Sequence, residues 1–258
     1  MTSRSRRVPV EQKLKGKVAV VTGASRGIGA ATAERLARDG AAVVVNYSKS
    51  QRQASEVVAR IEKEGGQAVV VKADVSKDAE VRALFEEAVR AFGRVDILVN
   101  NAGGGVFMPL EQADSAHIES QFGLNVAGSV FAAREAAARF PKEGGRIVNV
   151  SSIAANQTMV GGGLYSASKA AVEALTRVWA AELGPRGITV NAVAPGPIET
   201  ERFKERFDAD RADYMRSRTP LGRNGRPAEI ADAISFLVGP DSRWVTGQVL
   251  AVSGGMRF

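Results

Sequence analysis

Seven short apolar runs punctuate the chain, and longer segments with helical spacing separate them. The runs read VAVVTG (18–23), AVVVN (42–46), AVVVKAD (68–74), DILVNNAG (96–103), RIVNVSS (146–152), ITVNAVAPG (188–196) and QVLAVSGG (248–255). They are rich in β-branched residues and lack polar alternation, the pattern of strands buried on both faces in a parallel sheet. The intervening periodicity predicts helices over 28–38, 51–64, 79–92, 116–139, 165–183 and 227–237. Gly40, Gly65, Gly66, Gly93, Gly144, Gly145 and Gly184 follow helical segments, where a left-handed cap needs no Cβ. No linker, repeat or low-complexity tract divides this body, so the expected fold is a single doubly wound α/β domain with a seven-stranded parallel sheet. The least patterned stretch, 197–226, reads either as a lid or binding segment or as a solvated helical hairpin without a ligand.

Composition then removes whole classes of chemistry. The 258 residues contain no Cys and one His, which excludes disulfides, Cys-based zinc sites, thiol nucleophiles, HExxH proteases and His-rich metal sites. Acid–base work must fall to Asp, Glu, Lys or Tyr, and no metal is expected. The net charge is +7, but residues 1–15 hold five basic residues against Glu11 and so carry +4 of it. We expect 1–13 to be a basic, disordered tail, with a transit peptide as the alternative, and 14–258 to be the catalytic body. No apolar h-region follows the tail or its Arg6-Arg7 pair, and no stretch approaches the ~18 apolar residues of a membrane span. The expected location is cytoplasmic, with neither a membrane nor nucleic acid as partner.

The segment Thr22-Gly23-Ala24-Ser25-Arg26-Gly27-Ile28-Gly29 leaves the first strand and opens the first helix. Backbone N–H groups and the helix dipole favour a phosphate there, and glycines permit close approach. Its Gly-x3-Gly-x-Gly spacing departs from the commoner Gly-x-Gly-x-x-Gly, and an ordinary strand–helix turn is the alternative. Strand, helix and first-in-chain position agree with a dinucleotide site of Rossmann type. About 18 residues past Gly29, where an NAD enzyme offers a carboxylate to the ribose, the chain reads Asn46-Tyr47-Ser48-Lys49. A ribose phosphate meets no repulsion there, and Arg26 with Ser48 or Lys49 can hydrogen-bond it, so NADP(H) is expected over NAD(H). The alternative makes Arg26 a solvated loop cation. Asp74 can accept from the adenine amino group beside Val75, or cap the following helix. Asn101, Ala102 and Gly103 likewise end a strand, at the edge where open α/β sheets bind ligands.

Tyr165 and Lys169 lie at i and i+4, on one helical face one turn apart. An ammonium near a phenol stabilises phenolate, lowering a pKa of about 10 so that the phenol can donate or accept a proton. A surface pair is the alternative. Together with Thr22-Gly-x3-Gly-x-Gly29, Asn100-Asn-Ala-Gly103, Asn125, Ser152 and Pro195-Gly196, this set resembles the short-chain dehydrogenase/reductase family over about residues 14–255. The thirteen-residue interval from Ser152 to Tyr165 is also similar, and it selects Ser152 over Ser151. The resemblance implies that Tyr165 protonates the carbonyl oxygen as hydride arrives, and that Lys169 lowers the Tyr pKa and bonds the nicotinamide ribose. Ser152 is implied to position the carbonyl. Asn125 is implied to hold a helix kink and a water relaying protons to Lys169. Pro195, Gly196, Ile198 and Thr200 are implied to contact the nicotinamide end, and a homotetramer is implied as the assembly.

Within that family the chain is most similar to 3-oxoacyl-ACP reductases, through residues 40–47 and Arg186-Gly-Ile-Thr-Val-Asn191. Gly104-Gly105-Val106-Phe107 and Glu143 depart from that pattern, and an acid such as Glu143 is unwelcome to an acidic carrier. Ser253 also replaces an Asp or Asn, a change assigned to packing or a subunit interface. Val106, Phe107, Met108, Ile153, Met159 and Val160 either line a pocket for a hydrophobic ketone or pack beneath the lid. The expected activity is hydride transfer between NADP(H) and a ketone or secondary alcohol, an acyl thioester included. A cofactor-binding sensor or scaffold without turnover is the alternative. The single His117 is expected to be exposed and structural, in a helical turn capped by Asp114 or Ser115.

Overall fold

The computed structural model describes residues 12–256, so the tail proposed from the sequence lies outside the described residues apart from Gln12 and Lys13. All seven predicted strands form: β1 (Val18–Val21), β2 (Ala42–Tyr47), β3 (Gln67–Lys72), β4 (Ile97–Asn100), β5 (Arg146–Val150), β6 (Thr189–Pro195) and β7 (Val249–Val252). They make one sheet in the order 3-2-1-4-5-6-7, with every neighbouring pair parallel. The α-helices are α1 (Gly27–Arg38), α2 (Gln51–Lys63), α3 (Asp78–Phe92), α4 (Ser115–Phe122), α5 (Gly128–Arg139), α6 (Gly163–Leu183), α7 (Glu201–Arg206), α8 (Ala209–Ser217) and α9 (Pro227–Val238). This is a Rossmann-type α/β domain.

The period-2 geometry of a strand explains why the apolar runs show no alternation. Ala19, Val21, Val43, Val45, Val99 and Val148 face one core, where Leu36 of α1, Val57 of α2 and Ile234 of α9 pack. The residues between them, Val20, Val44, Leu98 and Ile147, face a second core with Leu84 and Phe85 of α3 and Ala132 of α5. Both cores exclude water, so both sets of positions must be apolar. The rule fails at the sheet edges. β3 exposes Gln67 and Lys72 and leaves Val70 36% accessible, and β7 leaves Leu250 40% accessible. Full two-sided burial was the expectation for every run, and an edge strand has a neighbouring strand on one side only, so its outer residues reach solvent.

Two further expectations change. The predicted helix over 116–139 is three pieces, with a π-helical turn at Gly123–Ala127 between α4 and α5. Asn125 sits in that turn, whose extra residue per turn is common at functional sites. The open reading of 197–226 resolves into the short helices α7 and α8, which stand over the carboxyl ends of the strands.

Asp96 anchors the opposite end of the sheet. It is buried, accepts from the Val18 amide at 3.0 Å, and is paired with Lys17 at 3.2 Å and Arg94 at 2.6 Å. Phe85 tests the second core, because it is fully buried between α3 and the sheet. Phe85→Ala should cost about 3–5 kcal/mol of unfolding free energy, read as a lowered urea midpoint. A loss below about 1 kcal/mol would contradict this packing.

Candidate active site

β1 and β4 are neighbours in space, and the chain leaves them in opposite directions across the sheet, so a crevice opens at their carboxyl ends. A tight hydrogen-bonded lock holds its floor. Thr22 Oγ1 accepts from the amides of Asn101 and Ala102, both at 3.0 Å. Asn101 Nδ2 donates back to the carbonyls of Thr22 at 2.8 Å and Gly23 at 3.0 Å. Two glycines make this approach possible. A Cβ on Gly23, whose φ is +61°, would lie 2.9 Å from Ala102 Cα, and one on Gly29 would lie 2.5 Å from the Gly23 carbonyl oxygen. Asn46 completes the lock, accepting from the Gly23 amide at 3.0 Å and donating to the Ala73 carbonyl at 3.1 Å.

The resulting cleft has a volume of about 850 Å³. Every residue proposed from the sequence for the cofactor lines it, from Gly23, Ser25, Arg26, Gly27, Ile28 and Gly29 through Asn46, Tyr47, Ser48, Asp74, Val75, Asn101, Ala102 and Gly103 to Tyr165, Lys169, Pro195, Gly196, Ile198 and Thr200. The donor set fits a dinucleotide diphosphate. α1 begins at Gly27 with no capping side-chain hydrogen bond and no acid in its first turn, so its end amides and dipole face the cleft uncompensated by the chain's own side chains. Among the described residues, the charged partner of Arg26 is Glu205 of α7, at 3.4 Å and exposed, a pairing worth little in water. The position of Asn46 is a partial surprise. It lines the cleft, but its amide ties backbone segments together. Asp74 is similarly engaged, accepting from the amide and hydroxyl of Ser76, and the Ser76 bonds hold its carboxyl below the usual range.

Tyr165 and Lys169 project together from α6, with the Nζ atom 6.0 Å from the phenol ring centre. Lys169 is buried and donates to the Val150 carbonyl at 2.7 Å, and burial lowers its pKa to about 8. Removal from water pushes the Tyr165 phenol above its ordinary value, opposed by a hydrogen bond with Ser152 and by the charges of Arg202 and Arg206. Lys169 stands beside the phenol but donates a hydrogen bond to the Val150 carbonyl. The lysine reaches the end of β5, and further cations acting on Tyr165 come from α7. Ser152 also accepts from the Ala154 amide at 3.2 Å, which orients its hydroxyl.

Asn125 does not line the cleft. It is buried behind the 103–105 segment, where Oδ1 accepts from the Gly104 amide at 3.0 Å and Nδ2 donates to the Gly104 carbonyl and Ser168 Oγ, both at 2.9 Å. His117 corrects another expectation. It is 8% accessible, and Nε2 lies 3.2 Å from the Val106 carbonyl. Asp114 caps α4 by accepting from the His117 amide at 2.7 Å, which turns the imidazole inward toward the 104–108 loop. Of the apolar set, Phe107, Ile153 and Met159 line the cleft, whereas Val106 and Val160 are exposed outside it.

Sequence reasoning missed Glu173, Arg202 and Arg206. Glu173 is buried and ties Ser151 Oγ and Asn156 Nδ2, both at 2.9 Å, to the helix bearing Lys169. Its signal was present, as an acid one turn beyond Lys169 on the same face of an apolar helix. The arginines gave no signal, because 197–226 is rich in Arg throughout. Among the described residues, no three His, Asp or Glu side chains converge to hold a metal ion, and no helix is long and apolar enough to cross a membrane.

Fold and cleft together have the form of a dinucleotide-binding domain, with Tyr165, Lys169 and Ser152 lining the cleft. A family model described as enoyl-(acyl carrier protein) reductase matches residues 23–257. An uncharacterized oxidoreductase of Methylorubrum extorquens is 47% identical over 247 residues, covering 95% of this chain and 99% of that protein. A short-chain dehydrogenase of Burkholderia cenocepacia, solved in complex with NADP, superposes with a TM-score of 0.89 at 41% identity, over 94% of this chain and 98% of that one. A 7α-hydroxysteroid dehydrogenase, solved with NADH and 7-oxo glycochenodeoxycholic acid, superposes at 0.92 with 37% identity, over 97% and 98%. The chain belongs to the short-chain dehydrogenase/reductase family.

The buried lysine makes a pH prediction. Between about pH 8 and its unfolded value of 10.5, Lys169 is neutral in the fold and protonated when unfolded, so unfolding takes up a proton and stability rises with pH. In cofactor-free protein, Lys169→Met should remove that rise, seen as a smaller gain in urea midpoint from pH 8 to pH 10 than in the unaltered chain. Parallel curves for the two proteins would contradict the buried, neutral lysine.

Proposed function

We propose that the protein is an NADP(H)-dependent oxidoreductase of ketones and secondary alcohols, with Tyr165 as the acid and base. The observation that carries this reading is the meeting of Tyr165, Ser152 and Lys169 at the floor of a cleft whose other end offers the uncapped α1 and Arg26. Two hydroxyls side by side suit one oxygen atom, the carbonyl of a ketone, better than a carbon–carbon double bond.

When bound, NADPH supplies hydride to the carbonyl carbon. Ser152 holds the carbonyl oxygen against Tyr165, and the phenol gives that oxygen its proton. The phenolate that remains is stabilised by the Ser152 hydroxyl and the guanidinium groups of α7, with Lys169 one helical turn away. Asn125 acts as a positioning residue, fixing the 103–105 backbone that covers the ring face. In the reverse direction the same phenolate accepts the alcohol proton. Coenzyme choice rests on Arg26 and on the absence of an acid from 46–50, where a ribose phosphate is attracted and unopposed. Relatives solved with NADP and with NADH show that the family scaffold accommodates both. A 3-oxoacyl thioester remains within the proposed substrate class. Arg186, a basic group of the segment similar to those reductases, donates to the Ala137 carbonyl at 2.5 Å.

A panel of ketones, quinones and 3-oxoacyl thioesters assayed with NADPH and NADH tests the reading. NADPH should give the higher kcat/KM, and Arg26→Ala should narrow that preference about tenfold or more. Equal use of the coenzymes would overturn the NADP(H) assignment. Tyr165→Phe should lower kcat about 10²–10⁴-fold while NADPH still binds, the range of one lost general acid. An unaltered kcat would remove Tyr165 from the chemistry.

A further inference from the structure

Two guanidinium groups stand at the substrate end of the cleft without an acid to meet them. Arg202 Nη2 and Arg206 Nη1 both donate to the Gly105 carbonyl, at 3.3 and 3.2 Å, and Arg202 Nη1 reaches the Gly103 carbonyl at 3.4 Å. These are long bonds to neutral oxygens, at or beyond the outer edge of ordinary hydrogen bonding. Other arginines of the chain are of both kinds: Arg94 bonds Asp96 through two nitrogens and Arg223 does the same to Glu229, whereas Arg146, Arg186 and Arg243 bond only carbonyls and lie outside the cleft. Among the described residues, neither Arg202 nor Arg206 has a carboxylate within 4.0 Å. Asp74, Glu119 and Glu201 all line the same cleft, yet none approaches them so closely.

The position of these charges is as informative as their lack of partners. The Arg206 guanidinium stacks on Phe107, 3.6 Å from the ring centre, and Phe107 meets Tyr165 edge-on at 5.7 Å. Gly105, which both arginines grip, lies against Tyr165 so closely that a Cβ there would come 2.8 Å from the ring. The guanidinium groups are thus one residue removed from the phenol, and their charges act on it. They also act on each other, since Arg202 and burial both disfavour the charged form of Arg206. Both side chains reach solvent, and two like charges held side by side at the cleft mouth repel weakly there, a repulsion that an entering anion would relieve. Stacking occupies the face of the Arg206 guanidinium, and the Gly105 carbonyl engages only Nη1, so an entering carboxylate meets the remaining N–H groups of the edge.

We propose that Arg206, assisted by Arg202, is an anion subsite that selects carbonyl substrates bearing a carboxylate, with an apolar body held against Phe107, Met159 and Phe203. The proposal rests on the carbonyl reduction argued above and names its substrate class. The contacts of Arg206 with Gly105 and Phe107 place it beside Tyr165.

The test uses the full chain and a series of aryl keto acids with one to three carbons between the carbonyl and the carboxylate, each assayed with NADPH beside its methyl ester. At least one acid should exceed its ester tenfold or more in kcat/KM. Arg206→Gln should reduce that ratio about tenfold, with Arg206→Lys intermediate because it keeps the charge and loses the fork. Equal turnover of acids and esters would overturn the proposal. So would a variant that keeps the ratio but raises KM for NADPH, since the arginine would then serve the cofactor phosphates. A second arm needs no turnover: calorimetry of benzoate and benzamide binding to the NADP-loaded protein. Benzoate should bind at least fivefold tighter, and Arg206→Gln should remove the difference. If no carbonyl compound is reduced, the reductase reading fails while calorimetry still decides the anion subsite, and equal binding of the two probes would sink it.

Discussion

Each central strand is pressed between two dry cores, so every other constraint in the molecule follows from supplying helices to both faces of one parallel sheet. α1, α2 and α9 cover one face, and α3, α5 and α6 have to cover the other. The chain can satisfy both only by starting in the middle of the sheet and building outward twice. β1 and β4 therefore sit side by side with their connections diverging, and a crevice between their carboxyl ends cannot be avoided. The Thr22–Asn101 hydrogen bonds close the floor of that crevice, and glycine at 23 and 29 lets the two loops come close enough to form them.

The electrostatics of the cleft divide along its length. At the cofactor end the positive potential comes from an uncapped helix and the loosely held Arg26, sources that an entering phosphate can use without displacing a strong pair. At the reaction end the charge of Lys169 is held in a drier setting, buried with a backbone carbonyl as its partner, while the exposed α7 arginines donate to glycine carbonyls. Desolvation disfavours both the charged lysine and the ionised phenol, so a charge developing in this cleft meets groups already fixed around it.

Some parts of the site were readable because they depend on neighbours in sequence. Tyr165 and Lys169 share a face for any helix that contains them, and the glycine loop follows directly from β1. The Asp114 cap of α4 is equally local. Other parts depend on what a residue meets across the fold. The capping turn that suggested an exposed His117 is real, but the 104–108 loop folds over the imidazole. Asn125 was legible as a site residue, whereas its bonds to Gly104 belong to a loop 21 residues away. The i,i+4 spacing of Tyr165 and Lys169 likewise could not reveal that the ammonium donates to the Val150 carbonyl.

The sequence by itself determined the doubly wound sheet, the dinucleotide loop and the Tyr–Lys pair, because periodicity, strand ends and helical spacing are properties of short segments. Tertiary structure alone decided which cations surround the phenol. Arg202 and Arg206 lie nearly forty residues beyond Tyr165, in a stretch crowded with arginines that no local rule distinguishes. Only the folding of α7 across the strand ends brings these two to Gly105 and Phe107, because the burial and pairing of a charge depend on every element around it.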